Sequence, residues 1–146
     1  MTMTTIDRVV ALQGVELFAD VPGRTLAAVA RRAAEVEVPA GATVIAQGAV
    51  EDHLFAVVRG RLRVHQGERT LTTLDAGATV GELAALVPEP RSASVTALEP
   101  ALLLRIDKAV LDELLADRTE LARGIISALV TMVRARTRPG TGSTET

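Results

Sequence analysis

From Ala34 to Asp107 the chain alternates apolar and polar residues, and turn residues break the alternation roughly every ten positions. This rhythm limits the possible folds more than any other feature, because a period of two sends successive side chains to opposite faces of a strand. The segment "EVEVP" sets Val36 and Val38 against Glu35 and Glu37. In "RLRVH", Leu62 and Val64 point one way and Arg61, Arg63 and His65 the other. "LLLRI" places Leu102, Leu104 and Ile106 on one face. The breaks fall at Pro39-Ala40-Gly41, Gly48, Gly60, Gln66-Gly67, Ala76-Gly77 and Glu99-Pro100. Many short strands at such regular spacing predict a β-sandwich or jelly roll. The string "AGATV" occurs twice, at Ala40–Val44 and Ala76–Val80. It is too short for an internal repeat, and we read it as one turn-into-strand device used at two corners.

The period is helical on both sides of this segment. Between Thr5 and Arg32, Ile6, Val9, Val10 and Gln13 share a face, and Gly14 ends the helix. A turn at Asp20-Val21-Pro22-Gly23 precedes a second helix with Leu26, Val29 and Ala30 on one side. After the strands, "KAVLDELLAD" reads as an amphipathic helix with Asp107 as its N-cap. "TELARGIISALVTMVRAR" is longer, starts at Thr119, and carries a stripe of Leu121, Ile125, Ala128, Leu129 and Met132. That stripe reads as ordinary packing, and the same face would serve a dimer contact. Arg134, Arg136 and Arg138 suit the negative end of the helix dipole, and Pro139-Gly140 stops the helix. The expected fold is mainly β with flanking helices: an antiparallel β jelly-roll barrel with N-terminal helices and two C-terminal helices. The expected organisation is a single domain over residues 5–138, with helices in 5–32, the barrel in 34–107 and helices in 108–138. Residues 139–146 read as a flexible tail.

Composition narrows the function. A length of 146 residues suffices for one domain with a core but not for two of ordinary size. The net charge of −2 lacks the basic balance of a nucleic-acid footprint. Phe18 and Phe55 are the only aromatic residues, so stacking of bases along a single strand is not expected. The absence of cysteine excludes disulfides, thiolate metal sites and a cysteine nucleophile. His53 and His65 are the only histidines, too few for a metal centre of the cupin type, and no Ser–His–Asp arrangement stands out. The first twenty residues lack a signal-peptide core, and no run approaches the length of a membrane span. The expectation is a cytoplasmic protein with no membrane partner and no catalytic machinery.

One stretch departs from plain barrel wall: "VGELAALVPEPRSASV", Val80 to Val95. Gly81 and Glu82 follow a strand, and "ELAAL" is long enough for a single helical turn. The first N–H groups of such a turn have no internal partner and form an anion cradle. Arg91 can bring a planar guanidinium back to the same place, with Pro88 and Pro90 stiffening the return. Ser92 adds a hydroxyl donor. Glu82 would repel an anion, so its sensible partner is a neutral donor such as a sugar hydroxyl. The plainer alternative is a Glu82–Arg91 salt bridge that staples a loop, a common and usually weak interaction. A cradle for an anion beside a carboxylate for a hydroxyl describes a nucleotide with a free ribose hydroxyl.

At this point "GELAALVPEPRSA", Gly81 to Ala93, resembles the phosphate-binding cassette of the cyclic-nucleotide-binding domains. That family includes the catabolite activator protein, the regulatory subunits of cyclic-AMP-dependent kinase and the cyclic-nucleotide-gated channels. The resemblance extends to "PAGATVIAQG" (Pro39 to Gly48) and "LFAVVRGRLRV" (Leu54 to Val64), and covers about Leu17 to Asp117. It implies that Glu82 takes the ribose 2′-hydroxyl and Arg91 the cyclic phosphate. Gly81 and the N–H groups of Leu83 and Ala84 would complete the phosphate cradle, with the Ser92 side chain. Val64, Leu71, Thr72 and Leu74 match barrel positions that line the base and sugar. Two departures, Val80 for an aromatic residue and Ala49 for an acidic one, fall at positions that do not touch ligand in the family.

The implied function is a non-catalytic sensor module whose ligand is cyclic AMP, with cyclic GMP also compatible with Ser92 and no cofactor required. A homodimer or an attached effector domain is the further partner that the resemblance allows. Two alternatives are the effector-binding part of a regulator of the catabolite-activator type and a degenerate domain kept for docking or dimerisation. The stretch beyond Pro139 is too short for a helix-turn-helix, so this chain is not expected to bind nucleic acid directly.

Overall fold

Period-two patterning becomes strand wherever alternate side chains find an apolar layer, and here it does so on two facing sheets. The computed structural model describes residues 3–81 and 89–137. Among these residues the alternating segment forms β1 (Ala34–Val38), β2 (Thr43–Ile45), β3 (Val50–Glu51), β4 (His53–Arg59), β5 (Leu62–Gln66), β6 (Arg69–Leu74), β7 (Thr79–Val80), β8 (Glu89–Pro90), β9 (Ser94–Ala97) and β10 (Ala101–Asp107). One antiparallel sheet runs β1-β10-β4-β7 and the other β2-β9-β5-β6, with a two-stranded ribbon β3-β8 beside them. This is the expected jelly roll, with its helices before and after the strands. The anticipated turn residues Gly41, Gly48, Gly60, Gly67 and Gly77 all have positive φ. The two "AGATV" strings carry matching hydrogen bonds: Ala42 N–H donates to Pro39 O at 3.1 Å, and Ala78 N–H to Asp75 O at 3.1 Å.

Between the sheets lies one apolar core, built on Ile45, Phe55, Val57, Leu62, Val95 and Leu103. A second core fills the space between the outer face of β10 and β4 and the helices, and contains Phe18, Leu26, Leu54, Leu104, Ile106 and Leu111. β10 is therefore buried on both faces, where the sequence pattern suggested one. Leu103 faces the barrel core, whereas Leu104 and Ile106 face the helical core. The unbroken apolar run from Ala101 to Leu104 is the signature of a strand covered on both sides.

The helices are α1 (Thr5–Gln13), α2 (Gly23–Arg32), α3 (Lys108–Asp117) and α4 (Thr119–Thr137), with a short 3-10 turn at Glu16–Phe18. Thr4 and Asp7 form a capping box that starts α1. On the α1 face shared by Ile6, Val9, Val10 and Gln13, Ile6 and Val10 are exposed, and Leu12 is the buried residue of the helix. Asp107 occupies the N-cap of α3 without a side-chain capping bond, and its carboxylate instead lies 3.2 Å from Arg105 Nε. On α4, Leu121, Ile125 and Ala128 are buried as expected for a packing stripe.

Polar ties hold α4 against the N-terminal helices. The buried Thr25 hydroxyl donates to Glu120 Oε1 at 2.8 Å, Arg24 pairs with the same carboxylate, and Ser127 Oγ donates to Asp20 Oδ2 at 2.6 Å. Gly124 lets the backbones close up, since a Cβ there would lie 2.5 Å from Val21 Cγ2. No helix among the described residues is long and apolar enough to cross a membrane.

Arg8 ties α1 to the start of the barrel. Its guanidinium donates to Ala30 O at 3.1 Å, to Ala33 O at 2.5 Å and to Glu35 Oε2 at 2.8 Å. The Arg8 hydrogen bond, then the Met3 backbone N–H, hold the Glu35 carboxyl below its usual range. A carboxyl depressed in the folded state stabilises the fold above its unfolded pKa, and the benefit is lost as pH falls through the folded value. Glu35→Gln is therefore expected to flatten the loss of stability between about pH 7 and pH 3, the interval that spans ordinary carboxylate titration. Urea midpoints at the two pH values read this directly, and an unchanged difference would contradict it.

Candidate functional site

The stretch expected to form the site runs from the end of β7 past β8. Glu82, Leu83 and Ala84 lie outside the described residues, as does the helical turn expected there. Gly81 and Arg91, the residues on either side of that stretch, are described. Gly81 leaves β7 with φ +81°, a conformation that suits glycine. Its missing side chain matters more than its torsion, because a Cβ at Gly81 would overlap Arg91 Nη1. The guanidinium is thus seated directly against the glycine backbone.

Arg91 is reached through an extended ladder. Val50 pairs with Pro90 and Glu51 with Glu89. Arg91 N–H donates to Ala49 O at 2.8 Å, and Gly48 N–H to Arg91 O at 2.8 Å. Pro90 is tolerated because the β3-β8 ribbon has only two strands and each is an edge. The Arg91 side chain is 5% exposed, unusual for a charged residue, and it is one of two buried polar side chains among the described residues. Nη2 donates to His53 O at 2.7 Å. Nε lies 3.8 Å from Glu51 Oε1, and neither atom has a hydrogen-bond partner among the described residues. A buried guanidinium with unspent donors is costly unless something anionic completes it. Chemically, a buried guanidinium against a glycine backbone has the means to hold an anion.

The remaining expected residues fall in two groups. Val64 and Leu74 are half-buried and pack on the inter-sheet core, and Leu62 pairs with Leu74 and Val64 with Thr72. Thr72 thereby lies on the same face of the β5–β6 hairpin as Val64. Leu71 is the residue skipped where the register shifts between Val64 and His65, and it is 44% exposed. Ser92 is exposed, and its carbonyl accepts from Gln66 Nε2 at 2.9 Å. The structure thus brings Gly81 and Arg91 together and sets Val64 and Leu74 against the inter-sheet core, with Thr72 exposed opposite Val64.

Two neighbours of Arg91 were not anticipated. Glu51 Oε1 also lies 3.8 Å from His53 Nε2, so one carboxylate oxygen stands between the histidine and the arginine. The signal was present in the alternation, since Glu51 and His53 stand two apart and flank the exposed Asp52. Their pairing with Glu89 to Arg91 is non-local and could not be read from spacing. His65, by contrast, lies on the outer face. Its Nδ1–H donates to Gly67 O at 2.8 Å and its Nε2 meets Thr96 Oγ1 at 2.8 Å. Among the described residues no three His, Cys, Asp or Glu side chains gather as a metal site would need.

Comparison with known proteins places this geometry in context. A family model described as "Cyclic nucleotide-binding domain" matches residues 35–118. A CRP-like cAMP-activated global transcriptional regulator of Mycobacterium tuberculosis is 27% identical over 134 residues, which is 88% of this chain and 59% of that protein. The cAMP-dependent protein kinase regulatory subunit of Blastocladiella emersonii is 34% identical over 102 residues, 66% of this chain and 25% of that protein. Among solved structures, the N-terminal domain of a transcriptional regulator from Streptomyces coelicolor A3(2) superposes with a TM-score of 0.79 at 27% identity. That match covers 92% of this chain and 96% of the other. The chain thus spans about 59% of the length of the mycobacterial regulator it matches.

Proposed function

The chain belongs to the cyclic nucleotide-binding domain family, and from that premise we propose that it is a non-catalytic sensor module whose ligand is cyclic AMP. The observation that carries this reading is the buried Arg91 guanidinium seated on Gly81. It can take both free oxygens of a cyclic phosphate beside the Gly81 backbone, and the motif assigns the N–H groups of Leu83 and Ala84 to the same phosphate. Glu82 takes the ribose 2′-hydroxyl and Ser92 adds a donor. Val64, Leu71, Thr72 and Leu74 offer the sugar and base a mostly apolar wall, which suits a purine face. Cyclic GMP fits the same grip, and no cofactor is needed for binding.

The output is a population shift. α4 packs chiefly on the 3-10 turn, α3 and α2. To cover a base held against β5–β6, it must leave the Thr25–Glu120 and Asp20–Ser127 contacts. Cyclic AMP can drive this only by binding the covered arrangement more tightly than the docked one. Paired spin labels on β5 and α4 are expected to report a shorter distance with cyclic AMP. An unchanged distance distribution at saturation would remove the switching step while leaving binding intact.

The similarity to the mycobacterial and Streptomyces regulators favours a second reading at the level of the whole protein, in which this module is the effector-binding part of a transcription regulator. Cyclic-AMP-dependent DNA binding by the full-length gene product would separate it from a module with another output.

A further inference from the structure

The described surroundings of Arg91 contain a titratable group that anion capture does not use. His53 projects from β4 with its ring edge-on to Phe55, centroids 5.0 Å apart, and its side chain is 21% exposed. Its Nε2 faces Glu51 Oε1 at 3.8 Å, the same buried oxygen that Arg91 Nε faces at 3.8 Å. Other charged residues stand on the described elements around it. Asp107 pairs with His53 in register on β10, and its carboxylate is held by Arg105 at 3.2 Å. Asp52 is exposed and its carbonyl accepts from Lys108 N–H, while Lys108 Nζ pairs with Asp112. Glu89 stands opposite Glu51 in the ribbon register. On β7, Val80 pairs with Phe55 and Gly81 follows.

We infer that Glu51 is shared between His53 and Arg91, and that this sharing couples nucleotide affinity to the proton on His53. This rests on the reading of Arg91 as the phosphate ligand. With a neutral imidazole, Glu51 offsets Arg91, and an arriving phosphate adds negative charge that Arg91 alone does not balance. With His53 protonated, the site carries one more positive charge against it. The imidazolium also offers Glu51 a second cation, which weakens its pull on Arg91 and leaves the guanidinium charge more available to the anion. Both effects have the same sign: affinity rises as pH falls through the range in which imidazole gains its proton. By reciprocity, nucleotide binding draws a proton onto His53.

Titration calorimetry of cyclic AMP into the whole chain at about pH 8 and pH 6 tests this, because the pair of values brackets imidazole titration. The unsubstituted chain is expected to bind about five- to tenfold more tightly at the lower pH, the low end of the usual range for coupled binding. His53→Gln should lose that ratio, and His65→Gln, on the outer face of the other sheet, should keep it. A flat profile in the unsubstituted chain, or an undiminished ratio in His53→Gln, overturns the coupling while leaving the phosphate site standing. No binding at either pH removes the nucleotide reading and the coupling with it. Should His53→Gln fail to fold, binding heats of the unsubstituted chain in buffers of different ionisation enthalpy give the proton count. Uptake near the middle of the range supports the inference, and zero uptake overturns it.

Discussion

Arg91→Ala is expected to weaken cyclic AMP binding by about 10²–10⁴-fold, because it removes two charge-assisted hydrogen bonds worth about 1.5–3 kcal/mol each. No other described side chain can replace them. Arg91 is the buried cation of the site, and the carboxylate beside it, Glu51, repels an anion. The substitution also leaves His53 O without its 2.7 Å donor and Glu51 without a cation, so some stability is lost as well. Arg91→Lys separates the two effects. It keeps the charge but not the planar fork, and should recover part of the affinity. Calorimetric Kd values beside melting temperatures distinguish lost affinity from lost fold. A folded Arg91→Ala variant with unchanged affinity would refute the site.

Gly60→Ala should give the largest loss of stability from adding a single methyl group, about 3–5 kcal/mol, the sum of a strained backbone and an overpacked contact. Gly60 joins β4 to β5 at φ +101°, where a side chain is strained in any surroundings. A Cβ there would also lie 2.7 Å from Ala101 Cα, 2.7 Å from Ala101 Cβ and 2.8 Å from Pro100 O. None of these atoms is the movable end of a flexible side chain. The contact can be relieved only by parting the β4–β5 corner from the start of β10, the central strand that both cores share. Such a loss is a large share of the 5–15 kcal/mol that stabilises an ordinary domain. Gly67→Ala is the contrast, since its φ is +58° with nothing within 4 Å of the added carbon. Its cost should be about 1 kcal/mol. Urea unfolding of the two variants measures the difference, and equal losses would show that the β4–β5 corner yields.

Much of this fold could be read from the sequence because period and punctuation agreed. Leu62 and Val64 point inward and Arg63 and His65 outward, as the alternation required, and the turn glycines stand between the strands. The failures came from choices of face that only a tertiary partner decides. α1 carries apolar residues at Ile6, Val9, Val10 and Leu12, and periodicity alone could not say which of them meets the core. β10 looked one-faced because alternate positions were counted, although a helical layer covers its other side. The same reasoning applies to the site. Gly81 and Arg91 stand at motif spacing, so their meeting was expected. Glu51 and His53 join them through the pairing of β3 with β8, a register set by strand order rather than by local pattern. Glu82, Leu83 and Ala84 remain expectations carried by the motif.

The most direct measurement is a calorimetric titration of cyclic AMP into the whole chain at neutral pH. A single-site isotherm with one nucleotide per chain is expected, abolished or greatly weakened in Arg91→Ala. No heat and no change in melting temperature at millimolar cyclic AMP or cyclic GMP would contradict it.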